Sequence, residues 1–311
     1  MNSYRTILRQ GLISGVRKGM HGFVWMMKIL VPISFATALL AWSGLIHKRN
    51  HLVQPVMDWL SLPGIAALPL LIGMLTGIYG ALAVMVVLPL SKEQMTLIAI
   101  FLLIAHNLIQ EGAIQGKSGL HPLKATIFRL IAATVTVMIS AHFLQVTAAA
   151  PAHGMAVAPG AGPLSAVLSA WLLDTLRLSL KIFAIIMSVL ILLETLKKLG
   201  WISHIVRLLR PLLRVLGLNH QAGVLWITAA MFGLAYGAAV IVEEAREGYL
   251  QSEELEGLHL SIGINHSLLE DPSLFLAMGL SPFWLWVPRL ITAMVAVRLL
   301  SVWQSFARRR I

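Results

Sequence analysis

The sequence predicts an all-α, polytopic membrane protein built from two related copies of one unit. Of its 311 residues, 58% are hydrophobic and only 12% are charged, whereas soluble domains carry about 25% charged residues. Several apolar runs also approach the roughly 20 residues with which an α-helix crosses a bilayer. The third observation is internal repetition along the chain.

The repetition consists of four short segments that recur in the same order, shifted by 156 to 160 residues. The matches are Pro55–Leu62 with Pro211–Leu218, Met74–Ala81 with Met231–Ala238, His106–Glu111 with Asn265–Glu270, and Arg129–Ala133 with Arg289–Ala293. We therefore divide the chain into a first repeat at 1–146, a periplasmic linker at 147–163 that is rich in Ala, Gly and Pro, and a second repeat at 164–311.

Each repeat is predicted to contain the same elements in the same order. They are an amphipathic segment (5–20 and 164–178), a first span (23–46 and 181–199), a Pro-containing amphipathic surface segment (50–62 and 202–218), a second span with a Tyr-Gly pair (64–90 and 222–242), a polar segment, and a last span (123–146 and 285–306). Residues 257–272 of the second repeat are too polar and too broken for an ordinary span. We expect a re-entrant helix there, because irregular backbone is tolerated at membrane depth where it lines a cavity.

Three crossings per repeat would place the two copies in inverted orientations. The distribution of Lys and Arg favours this topology, with both chain termini in the cytoplasm of a bacterium and the chain in its inner membrane. Four crossings per repeat, which would leave the copies parallel, is the alternative.

The composition also narrows the partners. The chain has no cysteine, so disulfides, thiolate metal sites and cysteine-ligated iron–sulfur clusters are excluded. We interpret the net charge of +11 as orientation in the bilayer and expect the lipid bilayer, not nucleic acid, as the partner. Self-association is left open. No HExxH motif or serine–histidine pairing stands out, and the sequence predicts neither an enzyme nor a cofactor.

The polar segments supply the candidate substrate-binding residues, because polar groups inside a bilayer are costly and mark function. If each motif is helical, side chains four positions apart share a face. The candidates are His106, Asn107, Gln110, Glu111, Asn265, His266, Glu270 and Asp271, with Tyr79 and Tyr236 as hydroxyls that could face the same cavity.

These side chains allow three chemistries and one structural alternative. They could hydrogen-bond a polar solute, carry a proton on histidine, or ligate a divalent metal through His106, Glu111, His266 and Glu270. In the structural alternative they only bond backbone carbonyls. Arg129 and Arg289 are expected to be structural, pairing with the glutamates or reaching the headgroups.

The chain resembles the nucleoside-recognition, or Gate, domain proteins. The resemblance rests on Gly11–Gly19, Trp25–Pro32, the surface helix at Pro55 and Gly77–Gly80. That family is similar to the membrane core of concentrative nucleoside transporters, the membrane part of ferrous iron transporter B, and spore maturation proteins A and B. The resemblance implies two inverted Gate units that move a small solute or ion.

The nucleoside transporters of this kind bind substrate with Gln, Asn and Glu, and Gln110, Glu111, Asn265 and Glu270 occupy comparable surroundings. The two histidines, His106 and His266, are additional to that pattern. We predict a secondary transporter for a small polar solute, nucleoside-like or another small metabolite, with proton coupling as one option. A divalent-metal permease for ferrous iron is the first alternative, and a non-transporting membrane scaffold is the second.

Overall fold

The fold is a bundle of helices, and the prediction of an all-α polytopic membrane protein is confirmed. The computed structural model describes residues 2–45, 50–146, 163–209, 211, 213, 218, 220–233, 241 and 252–308. The helices in these ranges are α1 (Asn2–Trp42), α2 (Asn50–Asp58), α3 (Ala67–Thr76), α4 (Ile78–Met85), α5 (Lys92–Ala105), α6 (Leu108–Lys117), α7 (Pro122–Leu144), α8 (Leu164–Lys198), α9 (Ile202–Leu208), α10 (His220–Phe232), α11 (Ser252–Asn265), α12 (Glu270–Leu276) and α13 (Pro282–Arg308). The linker residues 147–162 and Tyr236 lie outside the described residues.

Five stretches are long and apolar enough to cross a membrane. They are Arg5–Trp42, Lys92–Lys117, Pro122–Leu144, Leu164–Lys198 and Pro282–Phe306. The segments at 5–20 and 23–46, which were predicted as separate elements, belong largely to one helix, α1. The same holds for 164–178 and 181–199, which form α8.

Helices α1 and α8 pack antiparallel along glycines. Gly11 lies against Thr195, Gly15 against Ile191, and Gly19 against Met187. A Cβ on Gly15 would lie 2.5 Å from the Cα of Ile191, so only glycine permits this approach. Along this contact the residue numbers rise in α1 while they fall in α8, so the two long helices run in opposite directions.

The prediction that 64–90 crosses the membrane as one span is wrong. Helix α3 ends at Thr76, Gly77 has φ +93°, and a Cβ on Gly73 would lie 3.0 Å from the Cβ of Ala81. Residues eight apart on one straight helix would be about 12 Å apart, so the chain reverses at Gly77 and α3 and α4 form a helical hairpin. Gly supplies the left-handed conformation that this turn needs.

In the second repeat, the predicted span 222–242 is also interrupted. Helix α10 ends at Phe232, and Gly233 follows with φ +83°. Most residues from 234 to 242 lie outside the described part of the chain. The described helix of 13 residues is shorter than a full span requires.

The predicted re-entrant segment differs as well, because it continues in one direction. Contacts along α13 follow the order Gly257 with Val297, Ile264 with Arg289, and Leu268 with Trp286. This steady progression shows that the chain keeps the direction of α11 through the break that begins at His266, at least as far as Leu268. In the first repeat α5 and α6 fall within a single 26-residue candidate span, Lys92–Lys117. Re-entrance therefore belongs to the α3–α4 hairpin, and each polar segment is an interrupted helix.

The last helices of the two repeats also pack antiparallel. The hydroxyls of Thr136 on α7 and Thr292 on α13 lie 2.7 Å apart. Towards one end of the bundle, Glu256 of α11 pairs with Lys124 at the start of α7 and accepts a hydrogen bond from Gln304 near the end of α13. The start of one helix therefore lies beside the end of the other.

A buried histidine–carboxylate site where two interrupted helices cross

The candidate site lies where the interruptions of α5–α6 and α11–α12 meet. His106 ends α5 with an extended backbone, and Asn107 follows in the left-handed conformation with φ +47°. In the second repeat Ser267 has φ +51°. The imidazole centroids of His106 and His266 are 4.9 Å apart, so the two helix breaks place their histidines against each other.

Neighbouring helices hold both breaks open. The backbone N–H of Asn107 donates to the carbonyl of Gly73 at 3.0 Å, and the backbone N–H of Leu268 donates to the carbonyl of Ala230 at 2.7 Å. Backbone groups that a helix break would leave unpaired are therefore satisfied by α3 and α10, which makes the irregular geometry affordable inside a membrane.

Two fully buried arginines cap the ends of the helices that enter the site. Arg129 donates to the carbonyls of Ile104 at 2.7 Å and His106 at 2.9 Å. Arg289 makes the equivalent bonds to Ile264 and His266, at 2.9 to 3.1 Å. A cation stabilises the carbonyl end of a helix, so the expected structural role of both arginines follows directly, and neither extends to the headgroups.

The arginines differ in their second role. Nη1 of Arg129 lies 2.7 Å from Oε2 of Glu111, an ion pair with both side chains buried. Arg289 forms no ion pair with a carboxylate in the described part of the chain, and the expected pair between Arg289 and Glu270 is not formed. Glu270 instead accepts a hydrogen bond from the hydroxyl of Tyr79 at 2.8 Å.

The two imidazole rings are oriented by backbone carbonyls. Nδ1 of His106 lies 2.8 Å from the carbonyl of Leu102, and Nδ1 of His266 lies 3.1 Å from that of Ile262. A carbonyl oxygen can only accept, so each Nδ1 carries the proton and, in a neutral ring, each Nε2 presents a lone pair. Both lone pairs therefore point into the site.

Carboxylate oxygens face the same two nitrogens. Oε1 of Glu111 lies 3.0 Å from Nε2 of His106 and 3.2 Å from Nε2 of His266. Oδ2 of Asp271 lies 3.7 Å from the first of these nitrogens, and the two Nε2 atoms are 3.5 Å apart. Lone pairs gathered at such distances repel each other unless a proton or a metal cation lies among them. The arrangement can hold a proton or a metal cation.

The structure brings together four of the ten predicted site residues: His106, Glu111, His266 and Asp271. Asn107 and Gln110 bond each other at 2.9 Å at the exposed side of the break, and Asn265 is fully buried beside the cluster. The assumption that each motif lies on one continuous helix is wrong, because the helix stops between its residues. Two further polar residues, Gln115 and His259, lie buried along the crossing and were not predicted.

The comparisons with known proteins agree with the membrane assignment. The chain is similar to "Uncharacterized membrane protein YvoD" of Bacillus subtilis (strain 168), with 24% identity over 306 residues that cover 96% of this chain and 97% of that protein. No protein-family model matches the chain, and no solved structure matches it significantly. The protein is a membrane protein, and its function rests on the site itself.

Proposed function

We propose that this protein is a membrane transporter for a divalent transition-metal cation, which His106, His266, Glu111 and Asp271 hold as substrate. The observation that carries the proposal is the convergence of two imidazole lone pairs and two carboxylates at the crossing of two interrupted helices. Imidazole and carboxylate ligands suit iron, manganese and zinc.

The spacing of the donor atoms supports a metal ion. Around an ion with bonds of about 2.0–2.1 Å, tetrahedral ligand atoms lie about 3.3–3.4 Å from one another. Four of the six separations among the donor atoms are 3.0, 3.2, 3.5 and 3.7 Å, which bracket that value, and the donor atoms of His106, His266 and Asp271 all lie within 4.8 Å of one another. The bonds from Nδ1 to the carbonyls are also the outer contacts that metal-ligating histidines usually make.

The position of the cluster supports transport. Interrupted helices that meet near the bilayer midplane form the substrate sites of many secondary transporters. The breaks also supply two element ends that can move against each other. A purely structural role would not need two imidazoles and a second carboxylate at this depth, because burying polar groups is costly.

The prediction of an organic solute stays a prediction. The two imidazoles are in ring contact at 4.9 Å, which leaves room for an ion between the Nε2 atoms but not for a metabolite. The divalent-metal alternative is therefore the one that the geometry favours.

The inverted repeats, the Gate-family relationship and the cytoplasmic position of both termini in a bacterial inner membrane belong to the same proposal. Antiparallel packing of α1 with α8 and of α7 with α13 supports the inverted repeats. The chain has no cysteine, so a Thr136→Cys/Thr292→Cys double variant tests that packing directly. We expect oxidative cross-linking; free thiols after oxidation would contradict the packing of α7 against α13 on which the antiparallel arrangement depends.

Purified protein provides the test of metal binding. We expect wild-type protein to bind Co²⁺ with the intense visible absorption of a tetrahedral complex, and to bind Mn²⁺ or Fe²⁺ but not Ca²⁺. His106→Ala and His266→Ala should each lower Co²⁺ affinity by at least about 100-fold. His121→Ala, which removes an exposed histidine, is the matched control.

Transport is measured in proteoliposomes that contain a metal-sensitive dye. We expect wild-type protein and His121→Ala to admit Mn²⁺, and both central alanine variants to be inactive. Wild-type protein that binds no transition metal, or central variants that bind like the wild type, would refute the proposal.

A further inference from the structure

Three buried polar side chains lie between the histidine pair and the end of the bundle at which α6 meets α7. They are Gln115 on α6 and His259 and Asn265 on α11, and each is at most 1% exposed. None of them contributes to the cation cluster described above. Their position suggests a route and not a structural core, because polar groups in a core are normally paired.

The three side chains lie along the crossing of α6 with α11. Nε2 of Gln115 donates to the carbonyl of His259 at 3.0 Å. His259 and His266 are seven residues apart, which places them on the same face of α11 about two turns, roughly 10 Å, from each other. Between them lies Gly263, where a Cβ would meet Nε2 of Gln115 at 3.3 Å. The absence of a side chain at Gly263 lets the side chains of Gln115 and Arg129 pack against this face.

The outer end of this row reaches the surface. Nε2 of His259 lies 2.7 Å from the carbonyl of Ser118, and the next residue, Gly119, is exposed. One residue therefore separates His259 from the end of the bundle at which α6 meets α7. His259 stands at the entrance and Asn265 beside the histidine pair.

Each of the three side chains has a polar atom without a partner. These atoms are Nδ1 of His259, Oε1 of Gln115, and both Oδ1 and Nδ2 of Asn265. Since Nε2 of His259 donates to a carbonyl, Nδ1 presents a lone pair in the neutral ring. Buried polar atoms of this kind are usually satisfied by water or by an ion.

The equivalent positions in the opposite half of the crossing are apolar. Arg129 and Arg289, like His106 and His266, are 160 residues apart and make equivalent contacts, so this shift identifies equivalent positions. The positions equivalent to His259, Asn265 and Gln115 are Ala99, Ala105 and Phe275, all buried and apolar. The two halves share a backbone plan but differ in polarity.

We propose that His259, Gln115 and Asn265 form a hydrated path that admits cations to the histidine pair from the Ser118 end of the bundle, while the mirror half is sealed by apolar side chains. The lone pairs along the path belong to one imidazole nitrogen and two amide oxygens, which are neutral ligands. They can replace part of the water shell of a passing cation without holding it as tightly as the two carboxylates do. Only the identity of that cation rests on the proposed function; the hydration of the path does not.

Substituted-cysteine labelling tests the path without reference to metal, because the chain has no natural cysteine. Gln115→Cys, His259→Cys and Asn265→Cys are compared with the mirror variants Phe275→Cys, Ala99→Cys and Ala105→Cys in sealed vesicles. The probe is a small membrane-impermeant methanethiosulfonate. His121→Cys and Gln145→Cys, both at exposed positions, mark the two ends of α7.

We expect the path variants to react at least tenfold faster than their mirror partners, and only from the side that labels His121→Cys. Each variant must retain the elution profile and thermal unfolding of the wild type to be scored, and Ala99→Cys and Ala105→Cys add only one atom. Equal labelling of path and mirror variants, absence of labelling in both, or labelling from the Gln145→Cys side would overturn the path.

A second measurement separates this inference from the proposed function. Gln115→Leu and His259→Leu should slow Mn²⁺ entry at least tenfold and change Co²⁺ affinity at the histidine pair by less than about threefold. If wild-type protein binds no metal while the cysteine variants label as expected, the proposed function fails and the hydrated path stands. If metal entry is normal in both leucine variants, the path is not the route.

Discussion

The ion pair between Arg129 and Glu111 should make the two symmetric arginines unequal in their contribution to stability. Both guanidinium groups bond two carbonyls at the end of a helix, but only Arg129 also pairs with a carboxylate, at 2.7 Å. We therefore compare Arg129→Met with Arg289→Met. The lost carbonyl bonds are similar in the two variants, so the difference between them isolates the ion pair.

The expected difference follows from burial. The side chain of Glu111 is only 8% exposed. Arg129→Met leaves its carboxylate without the guanidinium partner. Removing one partner of a buried pair costs about 3–5 kcal/mol. At about 2–4 °C for each kcal/mol in a chain of this size class, Arg129→Met should unfold roughly 10 °C below Arg289→Met. Tryptophan fluorescence during heating of the purified protein in nanodiscs measures both transitions.

Adding Glu111→Gln to each variant should change stability in opposite directions. In the Arg129→Met protein it removes an uncompensated buried charge, so the unfolding temperature should rise. In the Arg289→Met protein it breaks an intact pair, so the unfolding temperature should fall. If Arg129→Met does not accumulate in the membrane, recovery of folded protein on adding Glu111→Gln is the readout. Equal unfolding temperatures for the two methionine variants, together with shifts of the same sign, would refute the ion pair.

Three further perturbations have defined outcomes. Gly15→Ala should lower stability by about 1–3 kcal/mol because the added Cβ would clash with the backbone of α8. Gly22→Ala, whose added Cβ has no neighbour within 4 Å, should be neutral or slightly stabilising. Thermal unfolding of the two variants measures this difference. Tyr79→Phe should cost about 1–3 kcal/mol because Glu270 loses a hydrogen bond at partly buried depth, and an unfolding temperature equal to the wild type would contradict that bond. Asp271→Glu should raise the unfolding temperature and lower Co²⁺ affinity, because the longer side chain can bring its carboxylate to Arg289. Tighter Co²⁺ binding would contradict this expectation.

The sequence predicted the membrane class, the helical fold and four residues that meet at the centre, because each depends on local composition. Apolar runs mark spans wherever they lie, and buried polar residues such as His106 and His266 stand out against them. The direction of a helix after a break is not local. It depends on which neighbour accepts the broken backbone, and the bonds of Asn107 to Gly73 and of Leu268 to Ala230 have no signature in the sequence.

The same limit explains the misplaced re-entrant segment. Residues 64–90 are uniformly apolar, so hydropathy alone cannot separate one long span from two short helices that fold back. The turn at Gly77 depends on its φ of +93° and on the close approach of Gly73 to Ala81. The re-entrant helix is predicted for the polar segment because polar residues are unusual in a membrane span. In the structure, those polar residues mark the site and not the turn.

The acidic residues show how a symmetric plan produces an asymmetric site. At the shift of 160 residues that relates the histidines and the arginines, Glu111 is equivalent to Asp271, not to Glu270 as the aligned motifs suggested. Glu111 is longer by one methylene group and contacts Arg129 and both imidazoles. Asp271 is nearest to His106, at 3.7 Å, while Arg289 forms no ion pair with a carboxylate among the described residues. One carboxylate is therefore held by its arginine and orients the rings, whereas the other is less constrained. The proposed cation transport would use both properties, since two tightly paired carboxylates would compete with the ion and two unpaired ones would retain it.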